Sequence, residues 1–145
     1  ILHSLRIALR LHDQEHKTEI VVGALLHDLL EDSKVTEKKI ESHFGKRIAK
    51  LVSANNFNHS INDKKVQYEE LFDRCQKARR NALVIKAADL YDNSFYYKFV
   101  KKKSERKLLL NKIKYFFQIT RAIIGSEAVW RDLKKRIIEM DKEKV

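Results

Sequence analysis

The sequence predicts an all-α fold, and three features carry that expectation. Its 145 residues contain no proline and only three glycines, so the tight turns of β-hairpins have little to be built from. Apolar residues recur at spacings of three and four along most of the chain, the period of an amphipathic helix. The polar connections between these stretches are short, as in a helical bundle, and the pattern yields about seven to nine helices.

In chain order, Leu2, Leu5, Ile7, Ala8, Leu9 and Leu11 form a first helix, with His3 projecting from its first turn. Residues 12–17 read as a solvated helix end or turn. Thr18 is placed to cap a central helix that runs to about Glu31. Thr36 caps a short helix with Ile40 and Phe44 inward, and Gly45 is placed to end it. A further helix carries Ile48, Leu51 and Val52. Residues 54–64 are rich in turn formers and read as a loop of functional length. Helical patterning resumes over residues 66–75 and 82–93. Ser104 then caps a long helix in which Leu109, Ile113, Phe116, Thr120 and Ile123 share a face, stopped by Gly125-Ser126. The last helix turns Trp130, Leu133, Ile137 and Met140 inward at spacings of three, four and three.

With 43% hydrophobic residues and no repeat or low-complexity linker, residues 1–145 read as a single domain able to bury a real core. The chain begins at Ile1 without a methionine, so its N-terminal end is expected to be incomplete. Cys75 stands alone, which precludes an internal disulfide and fits a reducing cytoplasm. The longest apolar run, residues 20–26, is far short of a bilayer span, so no membrane insertion is expected. The formal charge is +11 and the pI about 9.7, a balance that attracts polyanions. Much of the excess lies in residues 98–107, which read as a solvated basic loop, a nucleic-acid contact or a site for a phosphate-rich small molecule. Nucleic acid ranks second, because no zinc-finger, RNP-like or homeodomain-like pattern is present.

The chemistry concentrates in Ala24-Leu25-Leu26-His27-Asp28-Leu29-Leu30-Glu31-Asp32. On a continuous helix His27 and Glu31 share one stripe, and Asp28 and Asp32 the next. Three acids at a helix C-terminus repel one another and the dipole, a conflict that a bound cation resolves. The plainer alternative is a buried histidine satisfied by one backbone carbonyl, with the acids ending a helix in solvent. The same dipeptide at His12-Asp13 sits in a polar stretch and reads as solvated. In Lys86-Ala87-Ala88-Asp89-Leu90-Tyr91-Asp92-Asn93, Asp89 and Asn93 lie four apart on one face. Taken alone, Asp89 is an ordinary surface acid. Together with His3, His27 and Asp28 it makes a set of two histidines and two carboxylates drawn from three helices. That mixture suits a borderline divalent ion such as Mn, Fe, Co or Zn.

His3, then His27-Asp28, then Asp89 resembles the H…HD…D signature of the HD-domain metal-dependent phosphohydrolases, an all-helical superfamily. His27-Asp28-Leu29-Leu30-Glu31-Asp32 is similar to the HDxxED motif of RelA/SpoT-type guanosine tetraphosphate (ppGpp) hydrolases. Residues 44–52, Phe-Gly-Lys-Arg-Ile-Ala-Lys-Leu-Val, resemble their FGxxVAxLV segment, and Lys86 to Asn93 their KLADxxxN. The chain departs from that family at Ala54-Asn55-Asn56, where a threonine-containing turn is expected, and at Leu90, where a basic residue is expected.

The resemblance implies an HD-type helical bundle, an anionic nucleotide substrate and one divalent ion, usually Mn2+, held by His3, His27, Asp28 and Asp89. It implies Glu31 and Asp32 as the groups that orient and deprotonate water for attack on a 3′-diphosphate. Asn93 would hold the nucleotide sugar and Lys64 a phosphate, with Lys112 and Tyr115 as further candidate contacts. The activity implied is removal of pyrophosphate from the 3′ position of guanosine tetra- or pentaphosphate. The alternatives are an HD-domain nucleotidase or phosphodiesterase acting on another nucleotide, and a non-catalytic nucleotide- or nucleic-acid-binding module.

Overall fold

The computed structural model describes residues 1–143, and among them are nine α-helices, one 3₁₀ turn and no strand. Their order is α1 (Leu2–Asp13), α2 (Thr18–Leu26), α3 (Leu29–Asp32), α4 (Glu37–Phe44), α5 (Lys46–Ala54), α6 (Lys64–Lys77), α7 (Arg80–Ser94), the 3₁₀ turn (Tyr97–Phe99), α8 (Lys103–Ile124) and α9 (Ala128–Lys142).

The bundle is built around α7. Its run from Ala82 to Leu90 is buried on every side, as expected of a helix whose apolar residues leave no polar face. Helices α1, α2, α5, α6, α8 and α9 all pack against it. Two residues of that run, Lys86 and Asp89, are charged, so the packing itself forces them to find partners inside the protein. Phe72 of α6 meets Phe116 of α8 edge to face, and Phe117 stacks on Trp130 of α9. Trp130, Leu133, Ile137 and Met140 are all buried, as their spacing predicts. A smaller core of Ile40, Ala49 and Val52 joins α4 to α5 beneath Leu26, Leu29 and Leu30.

Gly23 lets α2 approach this centre closely. A Cβ there would stand 3.0 Å from Ile85 Cδ1 and 3.5 Å from Leu51 Cβ. Gly45, at φ 87°, supplies the left-handed residue between α4 and α5.

Several local expectations change. The central helix does not run on to Glu31; it stops at Leu26 and α3 begins at Leu29. Thr18 opens α2 rather than capping it, since Lys17 is the N-cap and Lys17 O takes the first backbone donors, from Ile20 and Val21. Thr36 does cap α4, accepting from Lys39 N. Phe44 is 46% exposed, because the chain turns away at Gly45. Ser104 lies inside α8, one residue past its start. The buried face of α8 is Leu110, Ile113, Phe116, Thr120 and Ile124, with Leu109 half-buried and Ile123 37% exposed. Lys64 is the first residue of α6 rather than part of the loop, capped by the Asp63 carboxylate accepting from Val66 N. No helix among the described residues is long and apolar enough to cross a membrane.

Candidate metal centre and adjoining cleft

The break after Leu26 is made by the histidine that follows it. His27 Nδ1 donates to Ala24 O at 2.7 Å, the carbonyl that a continuing helix would offer to the amide of Asp28. Asp28 O then accepts from Glu31 N and Asp32 N, which starts α3. Because a carbonyl only accepts, the ring proton is held at Nδ1 and the lone pair at Nε2. His27 is 2% exposed, and its Nε2 has no hydrogen-bond partner. The sequence alternative of a carbonyl-satisfied histidine thus describes one nitrogen and leaves the other open.

That open nitrogen stands 2.9 Å from Asp28 Oδ1 and 3.7 Å from Asp89 Oδ1. In the neutral ring that lone pair would face two carboxylate oxygens, a repulsion that either a proton on Nε2 or a metal cation among the groups relieves. From α1, His3 Nε2 lies 3.0 Å from Asp89 Oδ1 and 4.0 Å from Asp28 Oδ2, and the two imidazoles meet edge to face at 5.3 Å. One ligand atom each of His3, His27 and Asp28 falls within a mutual 4.8 Å. The donor set of two ring nitrogens and carboxylate oxygens, with one buried nitrogen unpartnered, fits a single borderline divalent ion.

Charge in the cluster is shared among protons. Burial lowers the pKa of His27, but the carboxylates of Asp28 and Asp89 outweigh it and hold the ring up to about 9. The hydrogen bond to Asp89 raises His3 above its ordinary value against the cost of burial, and Asp92 adds to the rise. Burial pushes Asp89 upward, yet Lys86 and the two imidazoles keep it well below the usual carboxylate range. Asp28 is likewise low: burial raises it, and His27 more than compensates. Asp89 Oδ2 accepts from Lys86 Nζ at 2.8 Å and Oδ1 from Asn93 Nδ2 at 2.7 Å.

Glu31 is half-buried one turn beyond Asp28, and Asp32 is exposed. Glu31 Oε1 accepts from the backbone amide of Phe57 at 2.7 Å, which fastens the loop of residues 55–63 to α3. The Phe57 ring stands 5.5 Å from Lys86 Nζ and 5.0 Å from Lys112 Nζ, placing an aromatic face beside each ammonium. Burial, reinforced by Lys86, draws Lys112 down to about 8.

Two cavities open beside this cluster and share Leu109 and Lys112. One, of about 240 Å³, is bordered by Leu90, Asn93, Tyr97, Ile113 and Met140. The other, of about 290 Å³, is bordered by Phe57, His59, Lys64, Gln67 and Tyr68. Asn93 therefore both steadies Asp89 and edges open space. Lys64 borders the second cavity together with Lys112. Tyr115 packs against Tyr68 and Phe72 and belongs to the core. His12 and Asp13 are exposed and pair only with each other, at 3.5 Å. Beside the basic run of residues 98–107, Tyr97 is buried, while Phe95, Tyr96, Phe99 and Lys101 to Lys103 are exposed.

Sequence reasoning passed over two residues at the cluster. Asp92 accepts from His3 Nδ1 at 2.6 Å, and Arg6 forks onto the same carboxylate. The available signal was spacing: Arg6 follows His3 by three on α1, and Asp92 follows Asp89 by three on α7.

Comparison with known proteins adds the following. Residues 1–91 match the family model described as HD domain. A Mycoplasma pneumoniae protein named probable guanosine-3′,5′-bis(diphosphate) 3′-pyrophosphohydrolase is 34% identical over 103 residues, 63% of this chain and 14% of that protein. The Aquifex aeolicus guanosine-3′,5′-bis(diphosphate) 3′-pyrophosphohydrolase is 46% identical over 52 residues, 36% of this chain and 8% of that protein. The chain thus spans a small fraction of the length of these relatives. Among solved structures, a Listeria monocytogenes protein superposes with a TM-score of 0.80 at 19% identity, covering 97% of this chain and 94% of that one. A structure described as a metazoan ortholog of SpoT that hydrolyzes ppGpp gives 0.78 at 21% identity, covering 98% and 79%. Both likenesses establish the fold.

Proposed function

This chain belongs to the HD-domain family, and from that premise we propose that it is a metal-dependent phosphohydrolase releasing pyrophosphate from the 3′ position of guanosine tetra- or pentaphosphate. The observation that carries the reading is the buried, unpartnered Nε2 of His27 facing Asp28 and Asp89, with the Glu31 carboxylate one turn beyond. The names of the relatives supply the substrate class.

His3, His27, Asp28 and Asp89 would hold one divalent ion, manganese by preference. Such an ion supplies Lewis acidity at a phosphoryl oxygen and lowers the pKa of a water. Glu31 would orient the attacking water and take its proton, with the exposed Asp32 passing the proton to solvent. Lys86 keeps Asp89 ionised, and Asn93 keeps it turned toward the two imidazoles. Lys112 and Lys64 draw the polyanionic substrate toward the two cavities, and Asn93 reaches the sugar. Water attacks the phosphorus that carries the ribose 3′ oxygen, the P–O3′ bond breaks, the 3′ oxygen takes up a proton, and the products are pyrophosphate and a guanosine 5′-di- or triphosphate. The lone, buried Cys75 accords with a cytoplasmic location.

The test is a panel assay. Protein stripped of metal and reloaded separately with Mn2+, Fe2+, Co2+, Zn2+ or Mg2+ is offered guanosine tetraphosphate alongside ordinary nucleoside di- and triphosphates and cyclic dinucleotides. Equal yields of pyrophosphate and GDP, dependent on Mn2+, are expected. Turnover of another nucleotide with none of the tetraphosphate transfers the chain to the HD-domain nucleotidases or phosphodiesterases.

A further inference from the structure

His3 and Arg6 on α1 face Asp89 and Asp92 on α7, so the helices meet through two matched pairs, each three residues apart. His3 Nε2 lies 3.0 Å from Asp89 Oδ1, and its Nδ1 donates to Asp92 Oδ2 at 2.6 Å. Arg6 grips the same carboxylate with two parallel bonds, Nε to Oδ1 at 2.8 Å and Nη2 to Oδ2 at 2.7 Å. Arg6 Nη2 also donates to the Tyr96 hydroxyl at 3.3 Å. We propose that Asp92 is a positioning residue that presents His3 as an Nε2 ligand, and that Arg6 holds Asp92 to that task; the inference rests on the metal-centre reading above.

His3 needs such a device more than His27 does. It stands on the first turn of α1 with its side chain 22% exposed, where no backbone carbonyl fixes the ring. A neutral imidazole carries one N–H, and the Asp92 carboxylate accepts it at Nδ1, leaving the Nε2 lone pair toward Asp28 and Asp89. A carboxylate behind the ring also makes it a stronger donor to a cation. Arg6 cancels the added negative charge and, being bidentate, fixes the plane of the Asp92 carboxylate. The packing of α1 itself is carried by Ile7, Ala8 and Leu11, all buried, so this polar chain is not needed to seat the helix.

The experiment measures Mn2+ affinity by electron paramagnetic resonance of free Mn2+, together with the melting temperature of metal-free protein, for wild type, D92A, D92N and R6Q. D92A is expected to weaken Mn2+ binding by roughly ten- to hundredfold, the usual scale for removing a group behind a metal ligand. D92N keeps an acceptor oxygen but loses the Arg6 fork, and falls between wild type and D92A. It also keeps the proposal open to refutation if D92A does not fold. R6Q loses less than D92A. Unchanged affinity in D92A and D92N with a lowered metal-free melting temperature would show a mere tie between helices and overturn the proposal. A wild type that takes up no Mn2+ overturns the metal-centre reading beneath it instead.

Discussion

The inner and outer walls of the cleft are built on opposite terms. On the inner wall His27, Lys86 and Asp89 are buried, and every one of them is fixed by at least one contact: Ala24 O, Asp89 and Asn55 O, Lys86 and Asn93. On the outer wall Lys64 and His59 are exposed, and among the described residues Lys112 is bound by nothing stronger than the face of Phe57. The inner wall is preorganised, at the cost of desolvating charge; the outer wall keeps its cations free to meet a substrate that brings its own charge. Damage inside should therefore be all-or-none, and damage outside graded.

The largest effect is expected at His27. His27→Ala removes both the nitrogen facing the carboxylates and the contact that bends the chain after α2, so Mn2+ content and turnover should vanish together. The rise in melting temperature that Mn2+ gives wild type should vanish with them. Retained Mn2+ binding would break the contrast between the walls.

Glu31→Gln comes next. Glutamine retains an oxygen to accept from Phe57 N, so the loop of residues 55–63 stays fastened while the charge is lost. Metal content should stay near that of wild type and kcat should fall by about a hundredfold or more, the scale of a lost general base. Wild-type kcat with full metal would mean that Glu31 only ties down the loop.

Proton linkage gives the next effect. In metal-free protein His27 is raised from 6.5 to about 9. The stability it contributes is thus complete below pH 6.5 and is lost as pH climbs through 9. Mn2+ must displace that proton, so its apparent affinity should tighten by up to about tenfold per pH unit between 6.5 and 9. Calorimetry at pH 7 in buffers of different ionisation enthalpy should register about one proton released per ion. Binding without proton release would remove His27 from the ligand set.

The smallest effect belongs to the outer wall. Lys64→Ala should raise KM a few-fold with kcat unchanged, and the difference from wild type should shrink as salt is added, measured by initial rates across ionic strength. A loss of kcat equal to that of Glu31→Gln would erase the distinction drawn here.

What the sequence made legible follows the same division. Helical periodicity and the scarcity of glycine and proline sufficed for the all-α class. Motif order sufficed to anticipate that His3, His27, Asp28 and Asp89 stand together. The bend at His27 was hidden because leucine, histidine and aspartate carry no stop signal of their own; a side chain capturing a carbonyl leaves no trace in periodicity. The face of α8 was set one position off at each end because Leu108-Leu109-Leu110 and Ile123-Ile124 offer two registers that a period of 3.6 cannot separate. Arg6 and Asp92 lay beyond reach because their pairing spans 86 residues and depends on how α1 lies against α7.

Gly23 stands one turn before His27, the residue that ends α2, as Ile85 stands one turn before Asp89 on α7, so the close approach of Gly23 to Ile85 lies just below the charged cluster. A methyl group at position 23 would press on the end of the Ile85 side chain at 3.0 Å, and the packing there would have to give by a few tenths of an ångström, while metal sites need ligand distances held to about 0.2 Å. The room that an ion among these side chains would have is thus set in part by a residue that carries no charge. Choice among Mn2+, Fe2+ and Zn2+ would then be a property of the hydrocarbon packing beneath the cluster as much as of the side chains that would hold the ion.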